Sequence, residues 1–152
     1  MKLRKKNQGF TLIEILVVIG IIAILAVIVL IAINPARQFQ QARDTQRTSN
    51  VNAILNAIGQ YVADNKGDLP SGITTTDSEI PAALCSDLVP TYLPALPTDP
   101  RSAYDGGDID AADCGYLSTD GSGYHVVQDA TTDRITVSAP DAEISADISV
   151  TR

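Results

Sequence analysis

The stretch KKNQGFTLIEILVVIGIIAILAVIVLIAI, residues 5–33, decides the fold because it holds one acid, Glu14, at the front of an otherwise uncharged apolar run. Residues 15–33 are nineteen residues without a charge. As an α-helix they span about 28 Å, close to the roughly 30 Å of a bilayer's hydrocarbon core. We therefore expect a membrane-spanning helix, since a cleavable secretory signal has a shorter apolar core and a small-residue cut site.

Charge is unevenly distributed along the chain. Four of the eleven cations, at positions 2, 4, 5 and 6, precede the apolar run, so the positive-inside rule places this end in the cytoplasm and the remainder outside. From Gly67 onward, fifteen acids stand against three arginines, a formal charge of −12. This part should repel DNA and RNA, whose phosphates are bound by Lys and Arg. Solubility outside the cell is the simplest explanation for the acids.

The residues around Gly9 resemble a known family. A basic leader ending in Gly9, followed by Phe-Thr-Leu-Ile-Glu and an apolar helix, is similar to the N-terminus of type IV pilins and pseudopilins. The resemblance implies that a prepilin peptidase cleaves between Gly9 and Phe10 and that the new Phe10 amine is methylated. It also implies that Glu14 pairs with the Phe10 amine of a neighbouring subunit, because a neutralised pair is tolerated in apolar surroundings better than isolated charges.

An amphipathic helical stem is predicted after the apolar run. Apolar residues recur at three- and four-residue steps, at Phe39, Ala42, Val51, Ile54, Leu55, Ile58 and Tyr61 or Val62. The opposite face is predicted to be polar, with Gln41, Arg43, Asp44, Gln46, Arg47, Asn52 and Asn56. Pro35 should kink or locally melt the helix. Residues 64–67, ending in Gly67 and followed by Pro70, should terminate it.

The rest of the chain is predicted to form a small head. Residues 67–115 are rich in Pro, Thr, Asp and Ser, which favours loops with one short helix near 82–88. Strand-like segments follow at 116–118, 124–128, 134–138 and 143–150. We expect an antiparallel sheet packed on the stem, an α+β fold of the pilin type. The predicted regions are a leader (1–9), a transmembrane and assembly helix (10–33), a stem (34–66) and the head (67–152).

The two cysteines of the chain, Cys85 and Cys114, both lie in the predicted head. On the outer side of a membrane they should form a disulfide, which would close a loop of about 30 residues and stabilise the head by about 3 to 4 kcal/mol. Two free thiols are the alternative. No CxxC or nearby histidine accompanies them, so their spacing is not that of a metal site.

A group of aspartates in the head suggests a metal site of low specificity. Asp105, Asp108, Asp110 and Asp113 fall within nine residues and offer the oxygen ligands that Ca²⁺ prefers. The order of an EF-hand is absent. Pseudopilins of type II secretion hold calcium in a head loop, so the resemblance favours calcium, although these residues do not match that motif position by position. A solvated acidic loop without any cofactor is the alternative.

The function that the resemblance to type IV pilins implies is a structural subunit of a type IV pilus-like filament. The alternatives are a pseudopilin of type II secretion or DNA uptake and, more remotely, a membrane-anchored enzyme or metal-binding domain. The expected partners are further copies, related minor pilins, prepilin peptidase, an inner-membrane assembly platform and lipid. The protein should cross the inner membrane once and then enter an extracellular or periplasmic filament.

Two further possibilities receive little support from the residues. His125, the single histidine, lies in a strand-like run without a nucleophile in a recognisable context, so a structural role and no enzymatic activity are expected. Arg37, Arg43 and Arg47 could line a DNA-binding face of the stem. Solubility, or pairing with acids of neighbouring subunits, explains these arginines more simply.

Overall fold

A computed structural model describes residues 9–32, 34–101, 107–117, 121–145 and 147–152. The chain divides into two units, residues 1–38 and 39–152. Its elements are the helices α1 (Leu12–Ala32), α2 (Pro35–Asp64) and α3 (Ala82–Leu88) and the strands β1 (Ser78–Glu79), β2 (His125–Gln128), β3 (Ile135–Ala139) and β4 (Ile148–Thr151). This is the predicted α+β arrangement of an apolar helix, further helices and a small antiparallel sheet.

Helix α1 begins at a cap formed by Thr11. The Thr11 hydroxyl accepts a hydrogen bond from the Glu14 backbone N–H at 3.3 Å, and the Thr11 carbonyl accepts from the same group at 3.1 Å. A threonine hydroxyl in this position satisfies one of the donors that the first turn of a helix leaves unpaired. The residues Thr-Leu-Ile-Glu therefore start the helix and place the acid in its first turn.

Pro35 is the first residue of α2, so its missing N–H removes no hydrogen bond from the helix. Asn34 caps this helix, since its side-chain Oδ1 accepts from the Arg37 N–H at 3.3 Å and its carbonyl accepts from the Gln38 N–H at 3.3 Å. Proline suits the first helical position because the N–H that it lacks has no partner there in any residue. Asn34 lies outside the helix and Pro35 begins it, which agrees with the predicted local melting of the helix and not with a kink in a continuous helix.

The end of α2 follows the predicted signal. The helix stops at Asp64, and the Gly67 N–H donates back to the Val62 carbonyl at 2.8 Å. Gly67 has a φ of 103°, a conformation that glycine adopts without the steric conflict of a side chain. The bond to Val62 satisfies a carbonyl that the helix end would otherwise leave unpaired.

Part of the predicted apolar stripe of α2 forms one side of the core. Val51, Ile54, Leu55 and Ile58 are 0–2% exposed and belong to one cluster with side chains of α3 and the sheet. The stripe does not continue as predicted toward the start of the helix, because Phe39 is 65% exposed and Ala42 is also exposed.

The buried positions in that part of α2 are charged. Asp44 and Arg47 were assigned to the polar outer face, but they are only 6% and 0% exposed. The assignment of these two residues was therefore wrong, and their partners are described with the candidate site.

The four strands form one antiparallel sheet in the order β1-β2-β3-β4. Val126 pairs with Val137, which pairs in turn with Val150, so one face of the sheet repeatedly presents valine. Val126 and Val137 are fully buried and Val150 packs against the same core. The short helix lies at the predicted residues 82–88, and the three longer strands begin and end near or within predicted segments.

Three details of the predicted sheet were wrong. Cys114–Tyr116 forms a 3₁₀ turn, so no strand begins at position 116, and residue 118 lies outside the described residues. Residues 143–145 form a bend, and β4 begins only at Ile148. The two-residue strand Ser78–Glu79, which pairs with β2, was not anticipated.

A disulfide joins Cys85 in α3 to Cys114 in the 3₁₀ turn. The two residues are 0% and 1% exposed and lie within the core cluster. The bond closes a loop with a sequence separation of 29 residues. Such a closure stabilises a domain by reducing the conformational entropy of its unfolded chain.

Candidate assembly site

The predicted processing residues lie just before α1. Gly9 and Phe10 are both exposed, and Phe10 is 78% exposed. Among the described residues, nothing lies within 4 Å of a Cβ built on Gly9. The leader residues 1–8 lie outside the described part of the chain. Both residues that flank the predicted cleavage site are therefore exposed with respect to the part of the chain that the structure describes.

Helix α1 exposes apolar side chains on every side. All of its large apolar side chains as far as Val29 are exposed, from 47% at Val18 to 83% at Leu12. The segment Leu12–Val29 has a mean hydropathy of 3.3 and is long and apolar enough to cross a membrane. A helix that is apolar all round needs a membrane or other protein around it. Together with the sequence of its first turn, α1 fits membrane anchoring.

Glu14 is the one acid of this helix and lies in its first turn. A carboxylate there is favoured by the helix dipole, whose positive end is at the N-terminus. Within the described residues, none of the salt bridges involves Glu14. The cation that would neutralise its charge in an apolar environment must therefore come from outside the described part of this chain.

A second arrangement of charges lies in the unit of residues 39–152, and the sequence analysis did not predict it. It is a cluster of Arg43, Asp44, Arg47, Asp99 and Glu143, which we call the charged cluster. Its residues come from α2, from the loop that follows Leu96, and from the bend before β4. It therefore connects three segments that are far apart in the sequence.

The centre of the charged cluster is the pair Arg47–Asp99, in which both side chains are 0% exposed. Arg47 Nε donates to Asp99 Oδ2 at 2.6 Å, and Arg47 Nη2 donates to Asp99 Oδ1 at 2.9 Å. This two-pronged geometry is the strong form of an arginine–carboxylate pair. The hydrogen bonds to Asp99 and Asp44 raise the pKa of Arg47 further above its ordinary value, against the opposing effect of burial.

Gly123 allows the backbone to pass close to Asp99. A Cβ at this position would lie 2.6 Å from the Asp99 Cβ, and Gly123 has a φ of 77°. Both observations exclude an ordinary side chain without a shift of the structure. The glycine therefore leaves room for the buried carboxylate.

Asp44 binds both an arginine and a row of backbone amides. Arg47 Nη1 donates to Asp44 Oδ1 at 2.8 Å, and the backbone N–H groups of residues 143, 144 and 145 donate to the same carboxylate at 3.0, 2.8 and 3.2 Å. Burial alone would raise the pKa of Asp44, but these hydrogen bonds outweigh it and lower the pKa to about 2. The carboxylate thus fixes the bend that replaces the predicted strand.

Glu143 completes the cluster on its outer side. Arg43 donates to it from Nε at 2.5 Å and from Nη2 at 2.7 Å, and Arg47 Nη1 donates at 3.2 Å. Arg101 lies 3.8 Å away and its side chain is 58% exposed. The bonds from Arg43 chiefly, with those from Arg47, lower the pKa of Glu143 to about 2 despite the opposing effect of burial.

The charged cluster alters the DNA-binding alternative. Arg47 is fully buried, and Arg43 is bound to Glu143, so neither side chain presents a free cation for phosphates. Of the three stem arginines, Arg37 is exposed. The sequence analysis expected these arginines to pair with acids of neighbouring subunits. Arg43 and Arg47 instead pair with acids of their own chain.

The predicted aspartate group is only partly described. Asp105 lies outside the described residues, while Asp108 and Asp110 are exposed and Asp113 is half-buried. Asp110 Oδ1 accepts from the backbone N–H groups of Ala112 at 2.8 Å and Asp113 at 3.2 Å, so it caps a turn. Among the residues that the structure describes, no three His, Cys, Asp or Glu side chains form a possible metal site. Calcium binding here stays a prediction.

His125 lies at the start of β2, next to an acid. Its Nδ1 atom is 3.1 Å from Asp77 Oδ2, in the loop that leads into β1. The histidine side chain is 30% exposed and that of Asp77 is 59% exposed. The contact ties the beginning of one strand to the segment before its neighbour, which agrees with a structural role.

The described elements are, in chain order, an exposed apolar helix with an acid in its first turn, an amphipathic helix and a small antiparallel sheet. A family model for the prokaryotic N-terminal methylation motif matches residues 4–30. This match supports the assignment to the type IV pilin and pseudopilin family and a pilin-like role in general, and proteins with this motif are typically structural. Comparison with curated proteins and with solved structures gave no match.

Proposed function

We propose that the protein is a prepilin, the precursor of a structural subunit in a type IV pilus-like filament, and that it has no enzymatic activity. The observation that carries this proposal is α1, an apolar helix exposed on every side whose single acid, Glu14, lies in the first turn directly after Gly9 and Phe10. A helix of this composition is stable in lipid or among copies of itself, and a filament provides the second environment.

Processing makes the cation that Glu14 requires. Prepilin peptidase cleaves between Gly9 and Phe10, and the new, N-methylated amine of Phe10 is positively charged. An incoming subunit places this amine against the Glu14 carboxylate of a neighbour, which neutralises both charges in a medium where each alone is unfavourable. The pair also selects one register between helices that are otherwise uniformly apolar.

The proposed location follows from the charge pattern. The basic leader stays on the cytoplasmic side of the inner membrane, α1 crosses the membrane once, and the acidic head lies outside. An inner-membrane assembly platform then moves subunits from the lipid into an extracellular or periplasmic filament. Other copies of the chain, related minor pilins, prepilin peptidase and lipid are the proposed partners, and nucleic acid is not one for this subunit alone.

Mass spectrometry of the intact protein tests the processing step. The full chain is produced in a bacterium that has a prepilin peptidase and, in parallel, in the same strain without it. We expect loss of residues 1–9 and one added methyl group only when the peptidase is present. An unshortened chain in both strains contradicts the proposal.

The kind of filament is tested separately by electron microscopy of cells that produce the processed chain. Long surface filaments that contain the subunit support a pilus. Short assemblies confined to the periplasm support instead a pseudopilin of type II secretion or DNA uptake, which would use the same processing and the same helix packing.

A further inference from the structure

We propose that a groove beside α2 receives Phe39 of a second copy of the chain, so that the heads join head to tail. The proposal rests on the proposed function, because it adds a second self-contact to the packing of α1. Both parts of the contact belong to the same unit, residues 39–152. Each part is apolar and accessible from outside the chain.

The groove is a cavity of about 460 Å³ with an apolar floor and a polar edge. Its apolar lining includes Leu55, Ile58, Gly59, Val62, Leu69 and Ile135. The edge is ordered by internal hydrogen bonds, from Gln128 Nε2 to Asp133 Oδ1 at 3.2 Å and from Arg152 Nη1 to Asn56 Oδ1 at 2.5 Å. An apolar centre with a polar rim is the usual composition of a contact between proteins.

Phe39 is the apolar group that this groove fits. It is 65% exposed and has no polar atom that would favour contact with water. A buried aromatic side chain removes about 150–250 Å² of surface from water, and an apolar cavity of about 150 Å³ is enough for a benzene-sized ring. The groove is larger than this, so the ring enters without a change in the core.

The positions of Phe39 and the groove on α2 determine the form of the assembly. Gly59 is twenty residues beyond Phe39, which at 1.5 Å and 100° per residue places it about 30 Å along the axis and about 160° around it. Leu55 lies about 160° around in the other direction. The ring and the groove therefore lie on opposite sides of one helix.

This arrangement produces an open polymer. When one surface of a chain binds a different surface of the next copy, the contact is heterologous and repeats without closing unless the rotation happens to complete a ring. With the α2 helices of the two copies parallel, each contact displaces the next copy by about 30 Å along α2. An extended filament follows, which agrees with the form of assembly proposed for α1.

Gly59 supplies an independent indication that the groove admits a partner. Glycine inside a helix is less favourable than alanine by roughly 1 kcal/mol in propensity measurements. A Cβ added to Gly59 would meet nothing within 4 Å among the described residues, so their packing gives no reason for glycine. An approaching side chain gives one, because the missing Cβ leaves the floor of the groove open.

Cysteine crosslinking of the full chain in assembled filaments, from cells that have the prepilin peptidase, tests the contact. The chain has two cysteines and both are in the disulfide, so an introduced cysteine is the sole free thiol. Two differently tagged chains, one with Phe39→Cys and the other with Gly59→Cys, are produced together and treated with a short thiol-to-thiol crosslinker. The control replaces Gly59→Cys by Gln60→Cys, an exposed position about 100° around the helix from Gly59. We expect mixed dimers with Gly59→Cys and at least tenfold fewer with Gln60→Cys.

A pair of filling variants tests the same contact without crosslinking. Gly59→Leu fills the groove, and Gln60→Leu adds the same side chain one position further along. We expect Gly59→Leu to keep the melting temperature of the parent or to raise it, and to reduce assembly about 10- to 100-fold, the loss expected when one large apolar side chain is no longer buried. Gln60→Leu should assemble like the parent.

The outcomes separate this inference from the proposed function. If tagged copies of the parent chain co-purify but Phe39→Cys crosslinks equally to both positions, or Gly59→Leu assembles like Gln60→Leu, the groove contact is refuted and the packing of α1 stands. If tagged copies do not co-purify after cleavage by the peptidase, the proposed function is refuted together with this inference. Crosslinking to Gly59→Cys alone, with impaired assembly of Gly59→Leu, supports both.

Discussion

Replacement of Arg47 by methionine should severely destabilise the head. Arg47 is fully buried and makes four hydrogen bonds to three carboxylates, two of them to Asp99, which is also fully buried. Methionine preserves much of the volume but leaves Asp99 and Asp44 without their cation. Removing one partner of a buried ion pair typically lowers the free energy of unfolding by about 3–5 kcal/mol, because the remaining charge stays buried.

The loss is large compared with the total stability of a domain, about 5–15 kcal/mol. For a unit of this size, about 4 °C of melting temperature corresponds to 1 kcal/mol, so Arg47→Met should melt about 12–20 °C lower. The assay is thermal unfolding of the full chain in detergent, followed by near-ultraviolet circular dichroism. The chain has five tyrosines and no tryptophan, and Tyr124 is fully buried, so this signal reports packing in the head and not the helicity of α1.

Arg43→Met is the matched control. Arg43 belongs to the same cluster, but its side chain is 32% exposed, and among the acids that the structure describes its one ion pair is with Glu143. Water can replace part of what the arginine supplies, so the melting temperature should fall clearly less than in Arg47→Met. Equal melting of the two variants, or an Arg47→Met head that melts within a few degrees of the parent, would refute the role of the cluster as the connection between α2 and the two loops.

Three further predictions concern assembly, acid stability and the disulfide. Glu14→Ala should stay in the membrane and be shortened by the peptidase but give few filaments, because no carboxylate is present for the neighbour's amine; a filament yield equal to that of the parent in sheared fractions contradicts the pairing. The pKa values of Asp44 and Glu143 are about 2 in the folded head, against ordinary values of 3.8 and 4.5. A carboxyl group whose pKa is lower in the folded head than in the unfolded chain stabilises the fold at any pH above its pKa in the unfolded chain. Stability from these two groups should therefore be constant above about pH 4.5 and fall as the pH drops toward 2. A denaturant midpoint that stays constant across this range contradicts the assignment. Cys85→Ser should lower the free energy of unfolding by about 2–5 kcal/mol, measured by denaturant titration, and adding a reductant to the parent should reproduce the loss, whereas insensitivity to both would contradict the stabilising role.

Local signals in the sequence predicted most of the elements. The apolar period from Val51 to Ile58 identifies α2, Gly67 ends that helix, and the strand-like segments at 124–128 and 134–138 correspond to β2 and β3. Each of these signals acts over a few residues, through a cap, a backbone conformation or a side-chain period. The helix and strand assignments could therefore be made without knowledge of the rest of the chain.

The charged cluster could not be predicted in the same way. Arg47 meets Asp99 across 52 residues, and Asp44 meets the bend at residue 143 across 99 residues. A reading of α2 based on apolar residues continues the stripe through Ala42 to Phe39 and assigns the charged residues to the solvent. The spacing of positions 44, 47, 51, 54 and 58 nevertheless continues one face of the helix, and this period was the signal available in the sequence.

The bend at residues 143–145 shows how such a distant contact overrides a local pattern. The alternation from residue 143 onward resembles a strand, yet Asp44 accepts three consecutive backbone N–H groups there. Those donors cannot also take part in a strand ladder. A buried carboxylate stays charged only if hydrogen-bond donors surround it. The backbone N–H groups of residues 143–145 are those donors, and these residues therefore form a bend instead of the first part of a strand.

The same requirement explains why folding and assembly are separate steps. In the charged cluster, Asp44, Asp99 and Glu143 find their arginines within the chain, so folding of the head completes that network. Glu14 finds no cation among the described residues, and the large apolar side chains of α1 as far as Val29 are exposed. Burial of Glu14 therefore needs a charge from elsewhere, and in the proposed mechanism cleavage creates it on Phe10 of the next copy. A subunit with an intact head but an uncleaved leader should therefore fold normally and remain in the membrane without assembling, because Glu14 then has no Phe10 amine of a neighbour to pair with.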